Sequence, residues 1–156
     1  MERGSSGICF GIKGRGTIKV SSIFLDTSPF IYFLDGIEPF ASKVEKFLLS
    51  AMDEKCLLYT SAITDTEYFV HPYREKNFMK IMGYKSFVQN AHILKISIGE
   101  DIAEKAAQIR AEYHGIKTAD SLQLAASIVY DCNTFLTNDK QLRQIKEISV
   151  KLVDEL

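Results

Sequence analysis

The chain has 156 residues, a formal net charge of −1, 46% hydrophobic residues and 25% charged residues. That length suits one domain with room for a sizeable core, and the balance is ordinary for a soluble globular protein. Near-neutral charge excludes a global positive field that would draw in nucleic acid, so an anionic polymer would have to be held by a local basic patch or by bound cations. No apolar run reaches membrane-spanning length, and Ile8–Phe10 is too short for the core of a secretory signal.

Residues 1–21 stand apart as a Gly-rich basic extension, with Arg3, Lys13, Arg15 and Lys19 against Glu2. They read as a tail or start-site artefact that buries little apolar surface, or as a basic arm touching nucleic acid; Thr17–Val20 alternatively extends the first strand or pairs beside it. The remaining residues, 22–156, form the expected folded domain. Ile23, Phe24 and Leu25 read as a short buried strand ending at Asp26. Ser28 and Pro29 then carry a helix-start signal, with Ser28 as cap and a helix to Leu34 before Asp35-Gly36 breaks it.

Val44, Phe47, Leu48 and Ala51 recur at helical spacing, and Cys56–Tyr59 is a second apolar strand. Ser61 caps a helix on which Ser61, Thr64 and Glu67 share one face, with Pro72 ending or kinking it. A helix over about 75–87 and a strand over 92–96 follow. Ser97–Glu100 reads as a capping box for a long helix that Gly115 stops at its C′ position. Thr118 opens a helix apolar on most sides, hence buried, with Asp120 in its first turn. A strand over Thr134–Thr137, a short helix near 140–145 and a last strand over 150–153 complete the chain. Strands alternating with helices predict an α/β fold: a central parallel sheet covered on both faces.

The three cysteines, Cys9, Cys56 and Cys132, are odd in number and widely spaced, so reduced thiols in a cytoplasm are expected. His71, His92 and His114 are scattered, which argues against zinc.

Four acids fall where this architecture places sites: Asp26 after the first strand, Glu67 in the helix after the second, Asp120 opening the buried helix, and Asp139 after the fourth strand. Each also has a plainer role. Asp26 and Asp139 are possible turn or cap residues, Glu67 fits a solvated helix face, and Asp120 complements a helix dipole. Gathered together, the four would repel unless a cation intervened, and hard oxygen donors suit Mg²⁺ or Mn²⁺. Such ions activate water and stabilise the leaving oxygen of a phosphodiester. The hydroxyls and amides of Thr27, Ser28, Ser61, Thr64, Thr137 and Asn138 lie beside the acids and are placed to orient them. No Gly-rich phosphate loop follows the first strand, against a nucleotide-binding fold.

Asp26-Thr27-Ser28 after an apolar strand resembles the opening motif of the PIN-domain ribonucleases. Ser61-Ala62-Ile63-Thr64-Asp65-Thr66-Glu67 is similar to that family's S-x-x-T-x-x-E segment, and Val70–Arg74 to the continuation seen in VapC-type toxins. Thr118–Ala126, with Asp120, resembles the family's buried helix, and Phe135–Asp139 its T-x-D ending. The resemblance runs from about Ile23 to Val153. It implies a Rossmann-like PIN fold and Mg²⁺- or Mn²⁺-dependent hydrolysis of RNA by Asp26, Glu67, Asp120 and Asp139. For VapC-type members it also implies a cognate antitoxin and a homodimer. The extension before Ile23 departs from the family pattern. Arg74, Lys76, Lys117, Lys140 and Arg143 are candidate RNA-backbone contacts, or ordinary solvated surface. A housekeeping RNA-processing nuclease and a non-cleaving RNA- or protein-binding module are the competing readings.

Overall fold

A computed structural model describes residues 10–13 and 17–156, with side chains from Val20 onward. The first elements are β1 (Phe10–Lys13) and β2 (Thr17–Val20), paired antiparallel with Phe10 opposite Val20. Thr17–Val20 thus pairs outside the central sheet, while the rest of the expectation for residues 1–21 lies outside the described residues. The domain continues through β3 (Ser22–Leu25), α1 (Thr27–Leu34), α2 (Phe40–Asp53), β4 (Leu57–Ser61), α3 (Ala62–Tyr68), α4 (Val70–Arg74) and α5 (Phe78–Asn90). It ends with β5 (Leu94–Ile96), α6 (Glu100–Glu112), α7 (Thr118–Val129), β6 (Thr134–Thr137), a 3-10 turn at Lys140–Gln144, β7 (Ser149–Leu152) and a 3-10 turn at Val153–Glu155.

Five strands form a parallel sheet in the order β5-β4-β3-β6-β7. The chain builds outward from β3 in one direction, then returns to the other side of β3 with β6. The strand order therefore reverses between β3 and β6, and the crevice beyond their carboxyl ends is where open α/β sheets bind ligands.

Alternation along β3 divides the core. Ile23 and Leu25 face one side with Phe30, Val44, Leu48, Leu58, Tyr84 and Leu136, under α1, α2 and α5. Phe24 faces the other with Ile102, Ile109, Leu124 and Phe135, under α6 and α7. Phe24 and Phe135 stack across the strand pair with ring centroids 5.3 Å apart and planes 6° apart. Both faces are covered, which explains why Ile23–Leu25 is a continuous apolar run rather than alternating with charge.

Local signals needed correction at several element ends. Asp26, not Ser28, occupies the N-cap position of α1, in extended geometry and without a capping side-chain bond. Ser28 lies inside the helix, where its hydroxyl accepts the Asn138 N–H at 3.1 Å. Pro72 neither ends nor kinks a long helix: the helix breaks earlier, at Phe69, and Pro72 sits in the first turn of α4, where its missing N–H is no loss. The expected capping box at Ser97 is absent because Gly99 is the N-cap residue and Glu100 the first residue of α6. Gly115 stands two residues past the C-cap Tyr113, at φ 81°, so it turns the chain rather than occupying C′. Cys56 is disulfide-bonded, against the expectation of reduced thiols, and Cys132 lies buried in the core. Spacing along the chain cannot show which thiols the fold brings within bonding reach. No described helix is long and apolar enough to cross a membrane.

Candidate active site

The parallel register places Leu25 beside Leu136, so Asp26 and Thr137 emerge side by side at the strand ends. The Asp26 N–H donates to the Leu136 carbonyl at 3.0 Å, extending the ladder by one bond and fixing the Asp26 backbone. Its carboxylate turns into the crevice. The Thr137 hydroxyl donates to Oδ2 at 2.7 Å and the Gln123 carboxamide to Oδ1 at 3.2 Å. Asp26 is 7% exposed, and its carboxyl is raised to about 6. Burial is the main cause; the Thr137 hydroxyl and the Thr27 backbone oppose it, while the charges of Asp120 and Glu67 add to it.

Glu67 lies near the end of α3 with an exposed side chain whose Oε2 accepts the Thr27 hydroxyl. Thr27 opens α1, so this bond ties α3 to α1 across the crevice. Asp120 sits half-buried in the first turn of α7, where the helix N-terminus favours a negative charge. Its carboxyl is nonetheless raised, first by desolvation, then by Asp139 and Glu67, with Lys117 opposing. Asp139 uses Oδ1 to cap the Lys140–Gln144 turn through the Gln141 N–H at 2.9 Å, so its cap role is real. Its charge still reaches Asp120. The four acids therefore share one edge of the sheet and one electrostatic field.

The flanking hydroxyls and amides are tied into the same region. Ser61 caps α3 through the Ile63 N–H at 3.2 Å and donates to Gln123 Oε1 at 2.6 Å. Thr64 accepts from Gln123 at 3.0 Å. Thr137, besides holding Asp26, accepts the Asp139 N–H at 3.1 Å. Asn138 donates to the Tyr32 hydroxyl at 3.0 Å and accepts the Asp154 N–H at 3.0 Å, locking the loop after β6 to α1 and to the chain's end.

Gln123 itself is absent from the residues singled out in the sequence. Its signal was available: an amide in a buried helix must find hydrogen bonds, and three residues after Asp120 it lies on the same helical face. Tyr32 gave no comparable signal.

The basic candidates do not form one patch. Arg74 and Lys76 are exposed at the end of α4 and just beyond it, and Lys117 lies next to Asp120. Lys140 and Arg143 pair with Asp154 and Glu155. These are exposed pairs, worth about 0–1 kcal/mol each, so a phosphate could displace the acidic partners readily.

A family model described as "PIN domain" matches residues 23–148. The chain belongs to the PIN domain family. Similar solved structures include a chain of FitAcB from Neisseria gonorrhoeae at 26% identity and TM-score 0.65, covering 86% of this chain and 99% of that one. A chain of a toxin–antitoxin complex from Klebsiella pneumoniae is 22% identical, with TM-score 0.64 and coverage of 87% and 100%. A chain of VapBC2 from Rickettsia felis, solved bound to a DNA fragment from their promoter, is 17% identical, with TM-score 0.66 and coverage of 84% and 98%. No curated protein matches the sequence.

The donor chemistry of this PIN site suits a hard divalent cation. It offers four carboxylates and neighbouring hydroxyls, with no thiolate or imidazole among them. Among the described residues no ion pair engages Asp26, Glu67, Asp120 or Asp139. Burial first, and then repulsion between the acids, raises Asp26 and Asp120, a condition that a cation would relieve. The carboxylates stand apart from one another: among the described residues no three Asp, Glu, His or Cys side chains are grouped closely enough to hold a metal ion. The fit is thus one of donor type and charge, with Asp26 held in place by its neighbours.

Proposed function

We propose that this PIN-domain protein is a divalent-metal-dependent endoribonuclease acting as the toxin of a toxin–antitoxin pair. The observation that carries the reading is the electrostatic coupling of Asp26, Glu67, Asp120 and Asp139 at the β3–β6 switch point, with no cation among the described residues in an ion pair to any of them.

Asp26 and Asp120 would hold Mg²⁺ or Mn²⁺, with Glu67 and Asp139 completing the set. When bound, such an ion supplies the charge that offsets these acids and the developing phosphate, and it lowers the pKa of an attacking water. The chain's own groups do the rest. Thr137 and Gln123 fix both oxygens of Asp26. Glu67, exposed to solvent, is free to take a proton through the oxygen that Thr27 does not engage. Lys117, beside Asp120, and Arg74 and Lys76, beyond α3, would meet the RNA backbone.

Support for RNA as substrate comes from a chain of Mycobacterium tuberculosis VapC20, named a sarcin–ricin-loop-cleaving toxin, similar at TM-score 0.60 and 13% identity over 72% of this chain and 86% of that one. Support for an antitoxin comes from the toxin–antitoxin complexes among the similar structures and from an apolar surface on α4 and α5. Tyr73, Phe78, Met79 and Met82 there are all more than half exposed, and Met79 lines a cavity of about 310 Å³ with Leu34, Tyr68, Gly83 and Tyr84. A neighbouring cavity of about 140 Å³ shares Tyr68 and Lys80 and opens onto Glu67. An amphipathic partner segment laid along this surface would reach the acids. A homodimer belongs to the same reading.

The test is cleavage of labelled RNA by purified protein with Mn²⁺ and then with excess chelator. Chelator-sensitive cutting that Asp120→Asn abolishes is expected. Cutting that survives both would remove the reading, and no cutting under any metal would favour a binding module.

A further inference from the structure

We infer that Gln123 is a positioning residue that sets Asp26 and Glu67 in register with one another, through its carboxamide and Thr27. The inference rests on the nuclease reading above and assigns a role to a side chain outside the acids.

The hydrogen bonds around Gln123 have only one consistent direction. Ser61 Oγ accepts the Ile63 N–H, so its own proton is free for Gln123 Oε1 at 2.6 Å. That fixes the amide, because the ionised Asp26 carboxylate can only accept. Nε2 then faces Asp26 Oδ1 at 3.2 Å, Thr27 Oγ1 at 3.1 Å and Thr64 Oγ1 at 3.0 Å, its two protons shared among three acceptors. Thr60 spends its proton on the Leu25 carbonyl at 2.9 Å, so in the 2.9 Å contact between Thr60 and Thr64 it is Thr64 that donates. Thr64 is thereby left as an acceptor for Gln123. Thr27, having accepted from Gln123, sends its own proton to Glu67 Oε2.

The network therefore runs from Ser61 through Gln123 to Asp26 on one branch, and through Thr27 to Glu67 on the other. Both branches end on a carboxylate and both deliver a proton donor to it. Gln123 is completely buried, so no water competes for these bonds. It reaches from α7 to the end of β3, the start of α1, the end of β4 and the body of α3. Asp120 sits one turn earlier on the same helix, so α7 brings its own acid and the clamp on two others in one rigid piece. A third bond, to Thr64, anchors the amide to α3, while the other two lead to acids.

The test is titration with Mn²⁺ alone, followed by electron paramagnetic resonance, on the full chain and on Asp26→Asn, Gln123→Met and Thr27→Val, with circular dichroism to confirm folding. The wild type is expected to bind Mn²⁺ and Asp26→Asn to lose it. Gln123→Met, similar in volume but without donors, should bind about 10–100-fold more weakly, the range seen when groups behind a metal ligand are removed. Its kcat for RNA should fall with KM little changed. Thr27→Val, which cuts only the branch to Glu67, should also weaken binding, and it decides the matter if Gln123→Met does not fold. A folded Gln123→Met, or failing that a Thr27→Val, that binds Mn²⁺ as tightly as the wild type while Asp26→Asn does not would overturn the positioning role and leave the nuclease reading standing. A wild type that binds no Mn²⁺, or an Asp26→Asn that binds it equally, would take both down.

Discussion

Thr137 donates its hydroxyl to Asp26 Oδ2 at 2.7 Å, and the same hydroxyl oxygen accepts the Asp139 N–H at 3.1 Å. One side chain at the end of β6 thus orients the carboxylate at the end of β3 and the backbone that carries the last acid. Thr137→Val keeps the shape and removes the bond. The Asp26 carboxyl should then rise further above its value of about 6, because a bond that favours the charged form is gone. An NMR titration of the Asp26 carboxyl carbon checks this, and RNA cleavage should fall at least tenfold.

Asp26 also sets a sign for stability against pH. Its folded pKa, about 6, lies above the ordinary value of 3.8, so between those limits the native state holds more of this proton than the unfolded chain. Its contribution is fully present below about pH 4 and is lost as pH rises through 6. A rise from 3.8 to about 6 corresponds to about 3 kcal/mol. Metal-free Asp26→Asn should therefore be more stable than the wild type at pH 7, by about 1–3 kcal/mol, with the difference vanishing near pH 4. Urea unfolding at the two pH values measures it. A variant less stable at pH 7 would mean that the carboxylate is held for the fold rather than for a ligand.

Added Mg²⁺ should reverse that order. A cation binding only the folded state raises its stability by mass action, and it needs the ionised acids. The wild-type melting temperature should rise with Mg²⁺ at pH 7.5, rise less at pH 5, and not move in Asp120→Asn. Thermal melts at matched ionic strength separate this from screening.

Away from the acids, Tyr84 donates to Asp65 at 2.6 Å beneath Lys95, which pairs with the same carboxylate at 2.7 Å and lies 5.2 Å from the ring centroid. Burial pushes the Tyr84 hydroxyl up, with Asp65 adding to the shift. Tyr84→Phe should cost about 1–2 kcal/mol, since Asp65 keeps Lys95 but loses its second donor. Chemical denaturation at pH 7 gives the number.

If the chain is the toxin proposed above, Met82→Glu on the apolar surface should weaken binding to a candidate antitoxin from an adjacent reading frame at least tenfold, because a charge buried in such a contact lacks a partner. Calorimetry with the purified pair tests it.

The fold was legible where periodicity was strong. Ile23–Leu25, Thr134–Thr137 and the buried run of α7 each carried enough apolar surface to declare their type, and their alternation gave the parallel sheet. Chain ends of elements were less legible. Ser28 looks like a cap by local chemistry, but the site claims it for Asn138, and Ser97 looks like a cap only until the backbone puts Gly99 there. The four acids could be named because each follows a strand or lies in a helix that does, or opens a buried one. Their shared field could not be read from the chain, since it depends on β6 returning beside β3 across more than a hundred residues. Gln123 could have been flagged as a buried amide in need of partners, but spacing along the chain does not say that those partners are Asp26 and Thr27.

The most direct measurement is anomalous diffraction from a crystal soaked in Mn²⁺. A peak within coordination distance of Asp26 and Asp120 is expected, absent from an Asp120→Asn crystal treated alike. A wild-type crystal without that peak, at a Mn²⁺ concentration that supports cleavage in solution, would contradict a metal site at the β3–β6 edge.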